Sequence, residues 1–570
     1  MTNYFKSILP MNIIKFSLPA TATAILLASC TATVAPIVST PIENIDTVPL
    51  KTRPLTDAEQ RNWGNTDLTA DTIPGMSIHR AYDEIIKNRK GQTVIVGVID
   101  SGVDIEHEDL KNVIWTNPKE IAGNGKDDDK NGYVDDIHGW NFLGDIVGEN
   151  MEYTRYVRTL GAKYAGVSES PVSAADRAEF ETYKKAKAEY DKEHQQTLAQ
   201  SQRYQGMLQQ ITPAHAAMAK KLGKENYTKK DLAGIADPTD AEKQQITALT
   251  QMLSFGDSVP EILKQLKNGA DYFNGRLETH FNTKKDFRAV LNDDPNNPAT
   301  KNYGNNDVDG PDAKKADARH GTHVAGIIAA QRTNNIGMDG VANNVKIMVV
   351  RAVPDGDEYD KDIANAIRYA ADNGAKIINT SFGKYFSTHP DWVRDAIKYA
   401  ASKDVLIVNA AGNEAFNLDT VEVYPNDQRM TGAEYTDNML TVGALNFKYG
   451  GTMVANFSNY GKSNVDVFAP GVKIYSTTPL NTYEFLQGTS MAAPAVSGIA
   501  AVVRGMYPKL SAKEVKKVIM DSGLPSKSPV VLGGDKSNQQ SFGSISKSGK
   551  MANLYNALIM ADKVSKMKKK

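Results

Sequence analysis

The run Thr93-Val-Ile-Val-Gly-Val-Ile99 constrains the fold more than any other stretch of the chain. It is β-branched, almost free of polar residues and too short for a helix, so it reads as a strand buried on both faces. Similar runs recur at Val345-Lys-Ile-Met-Val-Val-Arg351, Ala375-Lys-Ile-Ile-Asn379, Asp404-Val-Leu-Ile-Val-Asn409, Met439-Leu-Thr-Val-Gly443 and Asn464-Val-Asp-Val-Phe468. Helical spacing fills intervals at 361–373 and 391–402. Strands and helices alternating at these lengths predict an α/β fold with a doubly wound parallel sheet. Chemistry in such sheets collects at the C-terminal strand ends, and the first run ends in Asp100.

Three blocks carry candidate chemistry: Val98-Ile-Asp100-Ser-Gly102, His320-Gly-Thr-His-Val-Ala-Gly326 and Gly488-Thr-Ser490-Met-Ala-Ala-Pro494, the last two opening apolar helices. A serine hydroxyl is a poor nucleophile until a base takes its proton, and imidazole titrates near working pH. An aspartate fixes the imidazole tautomer and stabilises the imidazolium. Ser490 at a helix N-terminus would turn its own N–H toward a developing oxyanion. Plainer readings stand beside these. Asp100 could cap a turn. His320 and His323 could pair on a metal, although no glutamate follows His320 as a zinc-protease helix requires. His323 reads better as a packed core histidine, and His107, which lacks a loop-to-helix setting, as structural. Ser101 and Ser381 open no buried helix and are not nucleophile candidates.

With Ala410-Ala-Gly-Asn413-Glu414, these blocks resemble, in order and content, the Asp, His, oxyanion and Ser blocks of the subtilisin-like (subtilase) family. The resemblance covers roughly residues 60–145 and 300–560. It implies a serine-type endopeptidase with Asp100, His320 and Ser490 as the triad and Asn413 as an oxyanion donor. It also implies that Ser381, Phe382 and Gly383 pair their backbone with a protein or peptide substrate in extended conformation, largely blind to side chains. Phe382 reads equally as a pocket wall and as a core residue. Two other classes stay open: a binding lipoprotein on a retired protease fold, and an esterase using the same machinery.

Asp127, Asp129, Asn131, Tyr133 and Asp135 follow the spacing of an EF-hand calcium loop through its ninth position, but the twelfth is His138. Structural calcium and a solvated acidic loop are the two readings. A second oxygen-rich stretch, Asn305–Asp312, precedes His320.

About 220 residues separate Asp100 from His320, where the family needs only a few dozen. Residues 150–299 therefore read as a helical insertion. Phe180, Tyr183, Ala186, Tyr190, Tyr204, Met207 and Ile211 fall near helical spacing, Pro213 is expected to break that helix, and further helices are expected at 240–254 and 260–280. A lid that narrows specificity and a passive decoration are both consistent with it.

Lys6 and Lys15 precede an apolar run that ends in Leu27-Ala-Ser-Cys30. Residues 1–30 read as a signal peptide and resemble a bacterial lipoprotein signal. Cys30 would then be lipidated and anchor the protein in a bacterial cell envelope, at the periplasmic face or the surface. A cleaved signal with an incidental cysteine is the alternative. Residues 31–75 read as a tether or short pro-segment, 76–149 and 300–560 as the peptidase domain, 525–548 as a mobile loop and 561–570 as a basic tail. With 66 basic and 67 acidic residues the chain carries no basic field to attract nucleic acid. Its single cysteine forbids an intramolecular disulfide.

Overall fold

The first seven strands run parallel to one another: β1 (Val94–Asp100), β2 (Gly139–Asn141), β3 (Val345–Arg351), β4 (Ile377–Thr380), β5 (Leu406–Ala410), β6 (Met439–Leu445) and β7 (Val467–Pro470). A hairpin of β8 (Ile474–Thr478) and β9 (Thr482–Leu486) follows. Next come the short β10 (Leu524–Pro525), a second hairpin of β11 (Pro529–Leu532) and β12 (Asp535–Ser541), and β13 (Lys550–Met551). The main sheet has the order β10-β13-β7-β6-β5-β4-β1-β3-β2. The winding direction reverses at β1, which lies between β4 and β3, so the C-terminal end of β1 faces the crevice of the sheet. The computed structural model describes residues 37–89, 91–169 and 172–568. Cys30 and the signal segment lie outside the described residues.

The helices cover both faces because each carries an apolar stripe. Ile363, Ala366, Ile367 and Ala370 of Asp360–Asp372 pack with Ala396, Ile397 and Ala400 of Pro390–Ser402 in one core cluster with Ile99, Val350 and Ile378 of the sheet. The helix Thr489–Met506 is buried along nearly its whole length.

Three expectations need correction. The segment up to residue 75 is not a free tether from Ile42 onward. The Ile42 N–H donates to Asn556 Oδ1 at 2.8 Å, and Trp63, 1% exposed, donates its indole N–H to the Val472 carbonyl at 3.0 Å. It forms short helices at Asp57–Asn62 and Leu68–Asp71, and its apolar residues Ile45, Trp63, Leu68 and Ile73 are buried. Residues 525–548 are not a mobile loop, since Val530, Leu532, Phe542 and Ile545 are buried around the second hairpin. Pro213 does not break its helix, which runs unbroken over Arg177–Leu222. An internal proline costs about 3 kcal/mol. Here Ile211, Ala214, Met218 and Ala219 on either side of it pack against Tyr227, Leu232, Leu249 and Val259, and that cluster holds the second half in line.

The insertion leaves after β2 and returns before the helix Arg319–Ala329. Asn141 and Asn305 clamp its two ends with reciprocal backbone hydrogen bonds of 2.9 and 3.0 Å. The approach is so close that a Cβ on Gly304 would lie 1.9 Å from the Asn141 carbonyl oxygen. Arg351, 1% exposed at the end of β3, gathers the neighbouring segments. Its guanidinium donates to the carbonyls of Ser101 (3.1 Å), Gly144 (2.9 Å) and Ile146 (2.7 Å), to Asn141 Oδ1 (3.1 Å) and to Asp317 Oδ2 (3.0 Å).

Candidate active site

Asp100 closes β1 and is almost wholly buried. Its Oδ1 accepts from the Ser101 N–H at 2.8 Å and from His320 Nδ1 at 2.7 Å. His320 stands in the first turn of Arg319–Ala329 with 39% of its side chain exposed. The two elements meet this closely because the next residue is Gly321: a Cβ there would lie 2.1 Å from the Gly102 carbonyl oxygen. A histidine whose Nδ1–H is given to a carboxylate offers Nε2 as its only basic atom. Burial of the ring opposes its charge, but the Asp100 charge and hydrogen bond outweigh that and hold the His320 pKa above the ordinary imidazole value.

Ser490 lies in the first turn of Thr489–Met506, a helix that packs beside the His320 helix. Its hydroxyl donates to the Ser381 carbonyl at 3.1 Å rather than to His320, and the Ser381 hydroxyl donates back to the Ser490 carbonyl at 2.9 Å. Asn379 donates to Ser381 Oγ and accepts from Ser497 Oγ, each at 2.9 Å, so the end of β4 and the helix are locked in one register. Asn413 is exposed, but its Oδ1 is held by the Thr489 N–H at 2.8 Å and the Thr489 hydroxyl at 3.1 Å. Its Nδ2 has no partner among the described residues, which leaves that amide free as a donor beside Ser490.

Ser381, Phe382 and Gly383 follow β4. Phe382 is both a wall and a core residue: with Gly383, Asn413 and Ser490 it lines a cavity of about 200 Å³, and it also packs on the core cluster under β4. His323 and His107 are structural. His323 Nε2 sits 3.1 Å from the carbonyls of Ile474 and Glu484, and burial pushes its pKa down to about 3, so it is neutral. His107 Nε2 faces the Thr482 carbonyl at 3.2 Å. Both tie the helical side of the site to the β8–β9 hairpin.

Among the carboxylates of the expected ligands, Asp127 and Asp129 come together and Asp135 does not, and Glu120 joins them, with one oxygen of each within 4.8 Å of the others. Asn131 makes turn hydrogen bonds, accepting from the Tyr133 N–H at 2.8 Å and donating to Asp136 Oδ2 at 3.0 Å. The Tyr133 ring is buried against Trp140 and Tyr369, both with centroids at 5.0 Å. The Asp135 carboxylate caps the Gly123 and Gly125 N–H groups at 3.0 and 2.7 Å. The stretch Asn305–Asp312 gathers around Lys315, whose Nζ reaches Asp309 at 2.6 Å.

Reading by sequence missed Glu120, which lies outside the acidic repeat, and Asn459. Asn459 Oδ1 accepts from the Glu414 and Phe416 N–H groups at 3.1 and 2.8 Å and so shapes the loop that presents Asn413. The role of Thr489 was readable, since it adjoins Ser490 in the third block.

A serine in the first turn of one helix, packed against the helix whose histidine is polarised by a buried aspartate, is the layout of a serine hydrolase. The sequence profile of the Subtilase family matches residues 91–544, and the chain belongs to that family. It is 44% identical over 185 residues to the thermophilic serine proteinase of Bacillus sp. (strain AK1), covering 32% of this chain and 42% of that protein. It is 40% identical over 185 residues to thermitase of Thermoactinomyces vulgaris, covering 32% of this chain and 60% of thermitase. These alignments thus span less than two thirds of either relative. Among solved structures, a protease from Pseudoalteromonas arctica PAMC 21717 superposes with a TM-score of 0.33 at 28% identity, covering 42% of this chain and 70% of its own.

The raised His320 pKa gives a pH dependence with a definite sign. Imidazole accepts the serine proton only when neutral, so activity falls as pH drops through the His320 pKa. The acid limb of kcat/KM is expected above the ordinary value of about 6.5. Asp100→Asn should move it downward, with a loss of about 10⁴-fold in kcat. An unmoved limb in that variant would show that Asp100 does not set it.

Proposed function

We propose that this protein is a serine endopeptidase of the cell envelope that cuts extended segments of protein substrates. The observation that carries this reading is the 2.7 Å bond from His320 Nδ1 to Asp100, made on a helix that packs against the one whose first turn holds Ser490. In the resting site the Ser490 hydroxyl is turned to the Ser381 carbonyl. Attack requires that hydrogen to swing to His320 Nε2, which takes the proton as Oγ bonds to the scissile carbonyl carbon. The carbonyl oxygen becomes an oxyanion, met by the Ser490 N–H and the free Asn413 amide. His320 then passes its proton to the leaving amine, and water repeats the cycle on the acyl-enzyme. Loss of an amide donor of this kind costs about 10²–10³-fold in kcat, a magnitude that comes from subtilisin itself and is carried over here. The full chain should degrade an unfolded protein such as casein, and Ser490→Ala should lose essentially all of that activity. Equal degradation by the variant would remove Ser490 as the nucleophile.

The subtilase family also points to structural calcium. The fit rests on Glu120: its Oε1 accepts from the Asp128 and Asp129 N–H groups at 2.9 and 3.0 Å, while Oε2 is buried with no hydrogen-bond partner. Carboxylate oxygens of Glu120, Asp127 and Asp129 suit a hard cation. The ion would pin the loop that leads into β2 and act on stability rather than on chemistry. Chelation should lower the unfolding temperature of the full chain, and Asp127→Asn should abolish that response. A chelator-insensitive transition would argue against the site.

Residues 27–30, with the chain's single cysteine, support a lipid anchor at Cys30 in a bacterial envelope. Among the described residues, no helix is long and apolar enough to cross a membrane. Cys30→Ser should move the protein from the membrane to the soluble fraction, and retention on the membrane would count against lipidation at that residue.

A further inference from the structure

The cavity beside Ser490 is closed on one side by the loop that follows β3, and Glu358 of that loop lines it. Glu358 is 3% exposed, and its carboxylate is met by its own backbone N–H but by no side-chain donor among the described residues. The nearby cations are committed elsewhere. Lys384 Nζ takes the Glu358 carbonyl at 2.7 Å, not the carboxylate, and pairs with Glu152 and Asp360, each at 3.1 Å. Arg155 pairs with Glu152 and donates to the carbonyls of Asp357 (2.8 Å) and Glu358 (3.2 Å). Arg288 and Lys361, the next cations outward, are matched by Asp293 and Asp362.

The buried group at this wall therefore holds five carboxyls, Glu149, Glu152, Asp357, Glu358 and Asp360, against two cations, Arg155 and Lys384. A buried carboxylate is retained only where something compensates it. Burial lifts the Glu358 pKa to about 7 in spite of the Lys384 charge, with Asp357 adding to the rise. A positive charge brought into the cavity would satisfy it. Glu414, on the same cavity, adds negative charge, but its Oε2 is already used by the Asn413 N–H at 2.8 Å. The apolar walls, Val353, Phe382 and Val423, suit the methylene stem of a long side chain whose charged end reaches Glu358.

We propose that this cavity selects substrates by a cationic side chain, lysine or arginine, at one of the four positions before the scissile bond, with Glu358 as the residue that reads the charge. The proposal rests on the serine-peptidase reading above. It names a substrate class that main-chain pairing along Ser381–Gly383 cannot specify.

The test uses the full chain and peptides that differ only in one side chain, lysine, arginine, methionine or glutamine, at each of the four positions before the cut. At one position the cationic peptides should exceed the neutral ones in kcat/KM by about tenfold or more, as a charge-assisted hydrogen bond supplies. Glu358→Gln, of the same shape, should erase that ratio, and Glu358→Asp should keep part of it. Ser490-dependent cleavage with no cation preference at any position overturns the proposal and leaves the peptidase reading standing. So does a preference that survives in Glu358→Gln. Absence of Ser490-dependent cleavage of every peptide overturns both.

Discussion

The site depends first on Arg351. Three segments that are distant in sequence present five hydrogen-bond acceptors to one buried guanidinium: the residue after Asp100, the stretch from the end of β2 through Gly144 and Ile146, and Asp317 just before the His320 helix. Only a planar group with five donors can satisfy such a set, so lysine could not replace it. Removing it would leave Asp317 buried without its partner, a change that costs about 3–5 kcal/mol in comparable sites. The consequence reaches the chemistry because Arg351 fixes both the end of β1, which carries Asp100, and the approach to His320. The Asn141–Asn305 clamp lies in the same knot. It allows a long helical insertion to leave and return while the two ends of the core stay in register.

A second buried network joins the insertion to the substrate side. Arg155 stands on the first insertion helix, Glu152–Tyr164, and Arg288 near the insertion's end, and both reach the loop and helix start that follow β3. Arg288 meets Asp362 through two bonds of 2.7 Å, and Tyr303 completes that carboxylate at 2.6 Å. The loop that carries Glu358 is thus held from behind by the insertion and faces the cavity in front. A rigid wall of this kind pre-organises a charged pocket, which a solvated loop could not do. The insertion therefore supports a wall of the cavity, whatever further part its outer helices play.

Much of this architecture was legible in the sequence because it depends on local pattern. The β-branched runs marked β1, β3, β4, β5, β6 and β7, since strands buried on both faces have little choice of residue. Asp100, His320, Asn413 and Ser490 were legible through short blocks in which glycines and helix starts accompany the reactive residue. What escaped depends on tertiary context. Arg351 ends an apolar run and reads as an ordinary strand terminus until its five partners are assembled. Pro213 was misread because propensity speaks for the isolated helix, while packing of Ile211 and Met218 decides in the folded one. Glu120 lies outside the acidic repeat, and Asp135 lies inside it but caps the Gly123 and Gly125 N–H groups, so spacing alone did not single out the clustered carboxylates. The docked N-terminal segment and the β11–β12 hairpin looked polar because each buries only a few side chains.

The most direct test of the central claim is reaction of the full chain with a fluorophosphonate, with the adduct located by peptide mass mapping. The account predicts one adduct, on Ser490, that forms slowly or not at all in His320→Ala. An adduct on another serine, or on Ser490 at an unchanged rate without His320, would contradict it.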